Sequence, residues 1–212
     1  MKLYNYWRSS SSYRVRLALH FKGVPFEYVP VSLVGGEQHQ SAHRTRSPAG
    51  YVPVLEVTED GKATFITQSV AIFEYLEERF PERPLLPKAL SARGQVRAMA
   101  ELINSGIQPF HNLSTLNHLK SLGVDEKKWA AHFIDQGLVA LEALAKEHAG
   151  TFLFGDTFSW ADCCLLPQLF GGRRFGGNVD ACSTLVRIEK HCLELPFVNA
   201  ARPEAQPDAQ PA

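Results

Sequence analysis

The sequence predicts two domains, a small α/β domain followed by an all-helical domain. Strand-like and helix-like segments alternate through residues 1–81, a proline-rich linker follows at 82–90, and apolar residues recur at helical spacing through 91–200. A chain of 212 residues is long enough to bury a core in each domain. We expect residues 201–212 to form a disordered tail, because alanine, proline and glutamine dominate them.

A strand, a helix and a second strand begin the first predicted domain. Lys2–Trp7 is apolar and aromatic with a strand-like pattern, and Tyr13–Lys22 carries apolar residues at helical spacing. Gly23 is typical of a helix C-cap, and Phe26–Val31 alternates as a strand does. A strand, a helix and a strand within about 30 residues favour a parallel pair of strands.

A hairpin and a helix complete this domain. Tyr51–Val57 and Ala63–Thr67 are predicted strands, and Asp60 and Gly61 between them are typical of a tight hairpin turn. A helix with a broad apolar face follows over Gln68–Arg79. The polar segment before the hairpin allows one short helical turn at most, so the predicted order is βαβ(α)ββα.

Prolines separate the two predicted domains. Pro81, Pro84 and Pro87 cannot lie inside a helix, and the composition changes after them. Residues 91–148 are predicted as two long helices separated near Gly123.

Two further helices are predicted in the C-terminal part. Ser159 and Asp162 have the spacing of a capping box, and the apolar run Cys163–Phe170 follows them. Ser183–Leu193 is predicted as another helix.

The composition argues against several classes of protein. Lys and Arg total 22, as do Asp and Glu, and this balance argues against a nucleic-acid or anionic-membrane partner. No apolar run approaches the roughly 18 residues of a membrane span, and the N-terminus lacks the pattern of a signal peptide. The spacing of possible ligands predicts no metal site.

The cysteines indicate a reducing compartment. Four cysteines without a CxxC motif do not form a disulfide framework, so we expect a cytoplasmic protein. We expect Cys163 and Cys164 to be small buried residues of a helix.

A serine cluster precedes the first predicted helix. Ser9–Ser12 lie between a strand and a helix N-terminus, where free backbone N–H groups and the helix dipole favour an anion such as a thiolate. A polar loop with an N-cap serine is the alternative that these residues leave open.

Two further segments have features of a binding site. Pro53 at the start of a strand is typical of a cis peptide in a functional turn, which would leave the backbone of Val52 free to bind an extended peptide. Gln68 and Ser69 begin the next helix. Ser69 could cap that helix, or it could present its N–H and hydroxyl to a ligand carboxylate.

Together these three segments resemble the glutathione-binding half of the cytosolic glutathione transferases. The run SSSSYRVRLAL at residues 9–19 is similar to SSCSWRVRIAL of the zeta class, the maleylacetoacetate isomerases. GIQPFHNLS at 106–114 is similar to the GIQPxxNLS segment of that family, and SWAD at 159–162 to its capping box. Arg174 and Phe175 fall where the family often has an Arg-Phe pair. The resemblance covers residues 1–200.

The resemblance implies a thioredoxin-like N-terminal domain, a helical glutathione-transferase C-terminal domain, and glutathione as cofactor. It makes Ser9 the hydroxyl that faces the glutathione sulfur, with Ser10 beside it. The implied glutathione-binding residues are Ser9, Ser10, Ser11, Gln38, Val52, Pro53, Gln68 and Ser69, and from the helical domain Gln108, Asn112, Leu113 and Ser114.

The sequence departs from the family pattern at two places. Ser11 stands where the family usually has cysteine, which removes a reactive thiol without removing the isomerase chemistry. Ser47 precedes Pro48 where the family usually has asparagine.

The implied activity is the glutathione-dependent cis–trans isomerisation of maleylacetoacetate to fumarylacetoacetate in tyrosine and phenylalanine catabolism. Arg8 and Arg174 are candidates for binding the dicarboxylate substrate, because arginine binds carboxylates with two parallel hydrogen bonds. Arg14 and Arg16 are expected to be salt-bridged helix residues. His111 could be a general acid, or else a surface or core histidine.

Three other functions stay open: a maleylpyruvate isomerase, a glutathione transferase that acts on small α-halo acids, and a binding protein without enzymatic activity. Relatives of this class are usually dimers. We therefore expect a homodimer, to which Phe65 could contribute.

Overall fold

A four-stranded mixed sheet organises the N-terminal part of the chain in the computed structural model, which describes residues 1–210. The strands are β1 (Lys2–Asn5), β2 (Glu27–Pro30), β3 (Val54–Glu59) and β4 (Lys62–Thr67), in the order β2-β1-β3-β4. As predicted, β1 and β2 are parallel. β3 is antiparallel to both β1 and β4, which completes a thioredoxin-like sheet.

Three helices accompany this sheet: α1 (Ser10–Lys22), α2 (Ser41–Arg44) and α3 (Ser69–Arg79). α1 begins at Ser10 instead of the predicted Tyr13, because the side chain of Ser9 caps the helix. Gly23 ends α1 with a φ of 69°, as a C-cap glycine does.

The predicted hairpin turn is confirmed, because Asp60 and Gly61 both have positive φ, 49° and 75°. β3 starts at Val54, later than the predicted Tyr51. The residues before it form a separate turn that contains a cis Val52–Pro53 peptide bond.

The helices of the second half are α4 (Leu90–Gly106), α5 (Leu113–Ser121), α6 (Glu126–His148), α7 (Trp160–Arg174) and α8 (Ser183–Cys192). The prediction of only two long helices over 91–148 is wrong. The first of them breaks into α4, a 3₁₀ turn at Gln108–His111, and α5. Asn112 starts the second of these helices, because its side chain accepts from the backbone N–H of Ser114 as an N-cap does.

α7 begins with the predicted capping box. The Asp162 carboxylate accepts from the backbone N–H and the hydroxyl of Ser159, both at 2.9 Å, and from the backbone N–H of Leu153 at 2.8 Å. Burial raises the pKa of this carboxyl to about 6, although the hydrogen bonds favour its charged form.

The C-terminal segment, residues 195–210, contains α9 (Pro196–Ala201) and a 3₁₀ turn at Pro203–Ala205. By its contacts the chain forms one unit from Met1–Pro84 together with the chain from Leu195 onward, and a second unit from Leu85–Glu194. The predicted helical domain extended to residue 200, whereas in the structure α9 belongs to the first unit.

The prediction of a disordered tail is wrong for residues 201–210. Composition indicated disorder, but side chains far away in sequence hold this stretch: Arg16 donates to the carbonyl of Ala201 at 2.9 Å. Gln206 adds hydrogen bonds to the carbonyls of Ala200 and Arg202. Residues 211 and 212 lie outside the described part of the chain.

Candidate functional site

Three segments of the predicted site leave the sheet at the same edge. Tyr4 of β1 is opposite Val54 of β3, and Val54 is opposite Thr67 of β4. The residues that follow β1, precede β3 and follow β4 therefore emerge side by side. These are the serine cluster, the Val52–Pro53 turn and the start of α3.

Ser9 is the N-cap of α1, and its Oγ accepts from the backbone N–H of Ser12 at 3.2 Å. A hydroxyl that accepts in this way keeps its own proton for donation. The interpretation of Ser9 as an N-cap is therefore confirmed, and the role of the same hydroxyl toward a bound thiolate stays a prediction.

The first turn of α1 suits an anion. The backbone N–H groups of Ser10 and Ser11 have no acceptor within the helix, because they belong to its first turn. No acidic side chain lies in that turn, so none competes with a bound anion for the positive end of this 13-residue helix.

Two side chains fix the backbone of Tyr51, which directly precedes Val52. His43 of α2 contacts the carbonyl oxygen of Tyr51 through Nε2 at 2.9 Å, and this nitrogen must donate because a carbonyl only accepts. The buried Ser47 hydroxyl accepts from the backbone N–H of Tyr51 at 3.1 Å. The backbone of Val52 itself makes no hydrogen bond to residues 1–210.

The start of α3 has an unusual backbone. Gln68 has a φ of 71° and a ψ of 122°, which is costly for a residue with a side chain. Its side chain does not cap α3, and Ser69 is the first helical residue. The interpretation of Ser69 as the cap of α3 is therefore wrong, and its buried hydroxyl accepts from Nη1 of Arg14 at 3.3 Å instead.

Gln38 lies in a short 3₁₀ turn before α2 and is buried. Its amide nitrogen contacts the carbonyl oxygen of Leu33 at 3.4 Å and Nε2 of His39 at 3.2 Å. The amide oxygen is buried without a hydrogen-bond partner in the described chain, so it is an acceptor that a ligand could use.

Arg8 lies next to Ser9, with its guanidinium 5.2 Å from the centre of the Trp7 ring. No carboxylate of the described residues forms an ion pair with it, and its Nε is buried without a hydrogen-bond partner. A cation in this state can bind a carboxylate of a ligand.

The expectation that Arg16 is salt-bridged is wrong. Its fully buried guanidinium donates to the carbonyl oxygens of Tyr6, Trp7 and Ala201, and to the side-chain oxygen of Asn5. Burial lowers its pKa to about 10. Arg16 thus fixes the backbone that leads to the serine cluster.

In the second unit, the segment from Gln108 to Ser114 joins α4 to α5. Asn112 caps α5 and accepts from the backbone N–H of Ser114 at 3.2 Å, while Leu113 exposes 43% of its surface. The four predicted residues of this unit therefore lie together at one helix junction. Their contact with glutathione stays a prediction.

Arg174 ends α7 and is exposed, with its guanidinium 4.8 Å from the Phe175 ring centre. The ring of the buried His111 is 5.2 Å from that of Phe175, and its Nε2 lies 3.1 Å from the amide oxygen of Gln168. His111 is therefore a core histidine. Arg173, the neighbour of Arg174, forms two hydrogen bonds with the Glu189 carboxylate, at 2.7 and 2.6 Å.

Sequence reasoning missed several residues that support the site: His43, Ser47 and Arg14, and the C-terminal segment. Their partners are distant in sequence or in a loop without periodicity. Among these residues, only Ser47 could have been noticed from the sequence, because it precedes Pro48 where the family usually has asparagine.

The groups at the sheet edge fit glutathione by their chemistry. The backbone of Val52 offers a donor and an acceptor to a peptide, and the starts of α1 and α3 offer donors to a thiolate and a carboxylate. The unpartnered oxygen of Gln38 can accept from an ammonium group. Within residues 1–210, no cluster of three or more His, Cys, Asp or Glu side chains is suited to a metal ion.

The fold and these groups define the class of the glutathione transferases. A family model for the glutathione S-transferase N-terminal domain matches residues 3–84, and one for the C-terminal domain matches residues 128–171. None of the described helices is both long enough and apolar enough to cross a membrane.

Comparison with individual proteins indicates which group of glutathione transferases the chain belongs to. The chain is 44% identical to the probable maleylacetoacetate isomerase 2 of Drosophila melanogaster, over 99% of this chain and 90% of that protein. It is 42% identical to the maleylacetoacetate isomerase of Pseudomonas aeruginosa, over 100% of both chains.

Two solved structures are also similar to this chain over almost its whole length. A maleylacetoacetate isomerase from Anaeromyxobacter dehalogenans with bound glutathione is 48% identical, with a TM-score of 0.92 over 99% of this chain and 97% of that chain. A maleylpyruvate isomerase, a bacterial zeta-class enzyme, is 38% identical, with a TM-score of 0.93 over 99% of this chain and 100% of that chain. The chain therefore belongs to the zeta-class glutathione transferases, the maleylacetoacetate isomerase family.

Proposed function

We propose that this protein is a glutathione-dependent isomerase that converts maleylacetoacetate to fumarylacetoacetate in tyrosine and phenylalanine catabolism. The Ser9 hydroxyl carries the proposal. It accepts from Ser12 and keeps its proton, at the start of a helix without an acidic first turn. All four cysteines of the chain are buried, so the nucleophilic thiol has to come from the cofactor.

The residues of the first unit bind and activate this cofactor. Ser9 donates to the sulfur, and the free N–H groups of α1 stabilise the thiolate relative to the thiol. Val52 pairs with the peptide backbone as an added strand would. Ser69 and the first N–H groups of α3 bind a carboxylate.

When bound, glutathione supplies a thiolate that adds to the cis double bond, permits rotation about the resulting single bond, and leaves again unconsumed. The protein has to hold the substrate carboxylates and the negative charge that develops on the conjugated carbonyl oxygen. Arg8, which forms no ion pair with a carboxylate of residues 1–210, and the exposed Arg174 are the proposed contacts for these groups, because a guanidinium binds a carboxylate with two parallel hydrogen bonds.

Maleylpyruvate is a second candidate substrate, favoured by the high similarity to a maleylpyruvate isomerase structure. The two substrates share the maleyl group that reacts. A comparison of kcat/KM for the two with the same enzyme preparation distinguishes them.

The decisive experiment measures isomerisation of maleylacetone with and without glutathione, together with the amount of glutathione left. The proposal predicts activity that requires glutathione and does not consume it. Absence of isomerisation contradicts the proposal. Consumption of glutathione with α-halo acids as the only detected reaction would favour a conjugating transferase.

We also propose a homodimer in the cytoplasm. Phe65 and Tyr51 expose 37% and 44% of their surface on the first unit, which supports a self-association surface. The free thiols of all four cysteines support a reducing compartment. Light scattering of the purified protein tests the first proposal, because a monomer mass contradicts it. Fractionation of the source cells tests the second.

A further inference from the structure

The C-terminal segment returns to the strand that leads into the serine cluster. One oxygen of the Asp208 carboxylate accepts from the backbone N–H of Trp7 at 3.2 Å, and the other accepts from the Tyr28 hydroxyl at 2.5 Å. Burial raises the pKa of Tyr28, as does its hydrogen bond to Asp208, so this hydroxyl stays protonated and remains a donor.

Both backbone polar groups of Trp7 are therefore fixed. Its N–H donates to Asp208, and its carbonyl oxygen accepts from Nη2 of Arg16 at 2.8 Å. Arg16 also binds the carbonyl of Ala201, so the C-terminal segment is attached at two points to the same framework. Trp7 precedes Arg8 and Ser9 directly, and its peptide planes determine where those side chains start.

The same segment contacts a second part of the site. Ala209 packs against an apolar cluster that contains Trp7 and Val52, together with Tyr4, Tyr6, Val31 and Val54. Residues 208 and 209 thus contact the backbone that leads into the serine cluster and an apolar cluster that includes Val52. None of these contacts is made by a residue of the serine cluster itself.

We propose that Asp208 is a positioning residue for the glutathione site, acting through the Trp7 backbone on Arg8 and Ser9. This inference rests on the proposed function. A charged acceptor suits this role, because hydrogen bonds to a carboxylate are shorter and stronger than those to a neutral group. Without the Asp208 carboxylate, the N–H of Trp7 loses its acceptor, and the backbone from Trp7 to Ser9 becomes less well ordered.

The test compares Asp208→Ala, Asp208→Asn and, as a matched control, Glu204→Gln. Glu204 lies on the same segment, is exposed, and forms an ion pair with Arg202 at 3.4 Å, so its replacement removes an equal charge and leaves the hydrogen bond to the Trp7 N–H in place. Each full-length protein is measured for glutathione Kd by calorimetry, for kcat and KM with maleylacetone at saturating glutathione, and for thermal unfolding.

We expect Asp208→Ala to raise the glutathione Kd and to lower kcat each about tenfold, the factor that loss of one charge-assisted hydrogen bond produces. Asp208→Asn keeps an amide oxygen as acceptor but loses the charge, so we expect an intermediate change of about threefold in Kd and in kcat. Hydrogen exchange at the amides of Trp7 to Ser9 should accelerate in Asp208→Ala. Glu204→Gln should behave as the wild type.

A purely structural role predicts a lower unfolding temperature with unchanged Kd and kcat in folded Asp208→Ala, and that result overturns the inference. If Asp208→Ala does not fold, a Kd and kcat of Asp208→Asn equal to those of the wild type overturn it as well. Wild-type protein that binds no glutathione would overturn the proposed function itself, and the two failures are thereby distinguished.

Discussion

The buried guanidinium of Arg14 donates from Nη1 to the hydroxyl oxygen of Ser69 at 3.3 Å, and so connects α1 to the first residue of α3. Ser69 exposes only 4% of its surface and Arg14 none. The contact leaves the Ser69 proton available and places a positive charge behind it. Both effects favour a carboxylate at the start of α3.

Ser69→Ala should therefore weaken glutathione binding. We expect the Kd to rise about tenfold, because a hydrogen bond to a charged ligand group is lost. Calorimetry at fixed pH measures this. Ser105→Ala is the control, since that exposed hydroxyl donates to the carbonyl of Glu101 within α4. An unchanged Kd in Ser69→Ala would show that Ser69 does not contact the cofactor.

Ser9 combines a structural and a chemical role, and two substitutions separate them. Ser9→Ala should cost about 1 kcal/mol of unfolding free energy through the lost cap, whereas Ser9→Gly should cost only a few tenths. Both remove the hydroxyl proton, so both should lower kcat for maleylacetone by about a hundredfold.

Urea unfolding and steady-state kinetics of the two variants check this prediction. If Ser9→Gly retains wild-type turnover, the hydroxyl is only a cap. If activity follows stability across the two variants, the loss is caused by a frayed helix and not by the chemistry.

The buried Asp162 should give the protein a characteristic pH dependence of stability. Burial raises its pKa to about 6 in the folded state, above its value in the unfolded chain. Its contribution is therefore fully present below about pH 4 and is lost as the pH rises through about 6. Replacement by asparagine, which cannot ionise, should remove this part of the slope between pH 4.5 and 7.

Asp162→Asn should also destabilise the protein by about 3 kcal/mol, since its amide nitrogen would face donors such as the N–H of Ser159. Asp156→Asn is the control. The hydrogen bond from the Thr151 backbone lowers the pKa of Asp156, so its contribution is lost only as the pH falls below this window. Equal slopes for wild type and Asp162→Asn would contradict the assignment.

The sequence was sufficient for the parts of the fold that local patterns determine. Alternation predicted the strands, and Gly23 and the Ser159 capping box marked helix ends, because caps are satisfied by residues within one turn. The break at Asn112 was missed, since apolar spacing continues across it even though the asparagine starts a new helix.

Interactions between distant residues could not be predicted in this way. The helical spacing suggested salt-bridged arginines, but the buried Arg16 binds carbonyl groups as far away as Ala201. The tail has a disordered composition and is nevertheless ordered at Asp208 by Trp7 and Tyr28. His43 lies on α2, which has too few residues to show a helical periodicity, and it contacts the carbonyl oxygen of Tyr51 before the Val52 turn.

The adjacent arginines at the end of α7 offer a test of substrate recognition within one pair of residues. Arg173 binds both oxygens of Glu189, whereas Arg174 extends over Phe175. Arg174→Ala should raise KM for maleylacetone about tenfold and leave the glutathione Kd unchanged, because the proposed role of Arg174 is to bind a substrate carboxylate and not glutathione. Arg173→Ala should lower the unfolding free energy by at most about 1 kcal/mol, as expected for a half-exposed ion pair, without a change in KM. Steady-state kinetics with both variants measure the two KM values. An equal rise of KM in both variants would mean that disruption of the end of α7, and not loss of a substrate contact, weakens substrate binding.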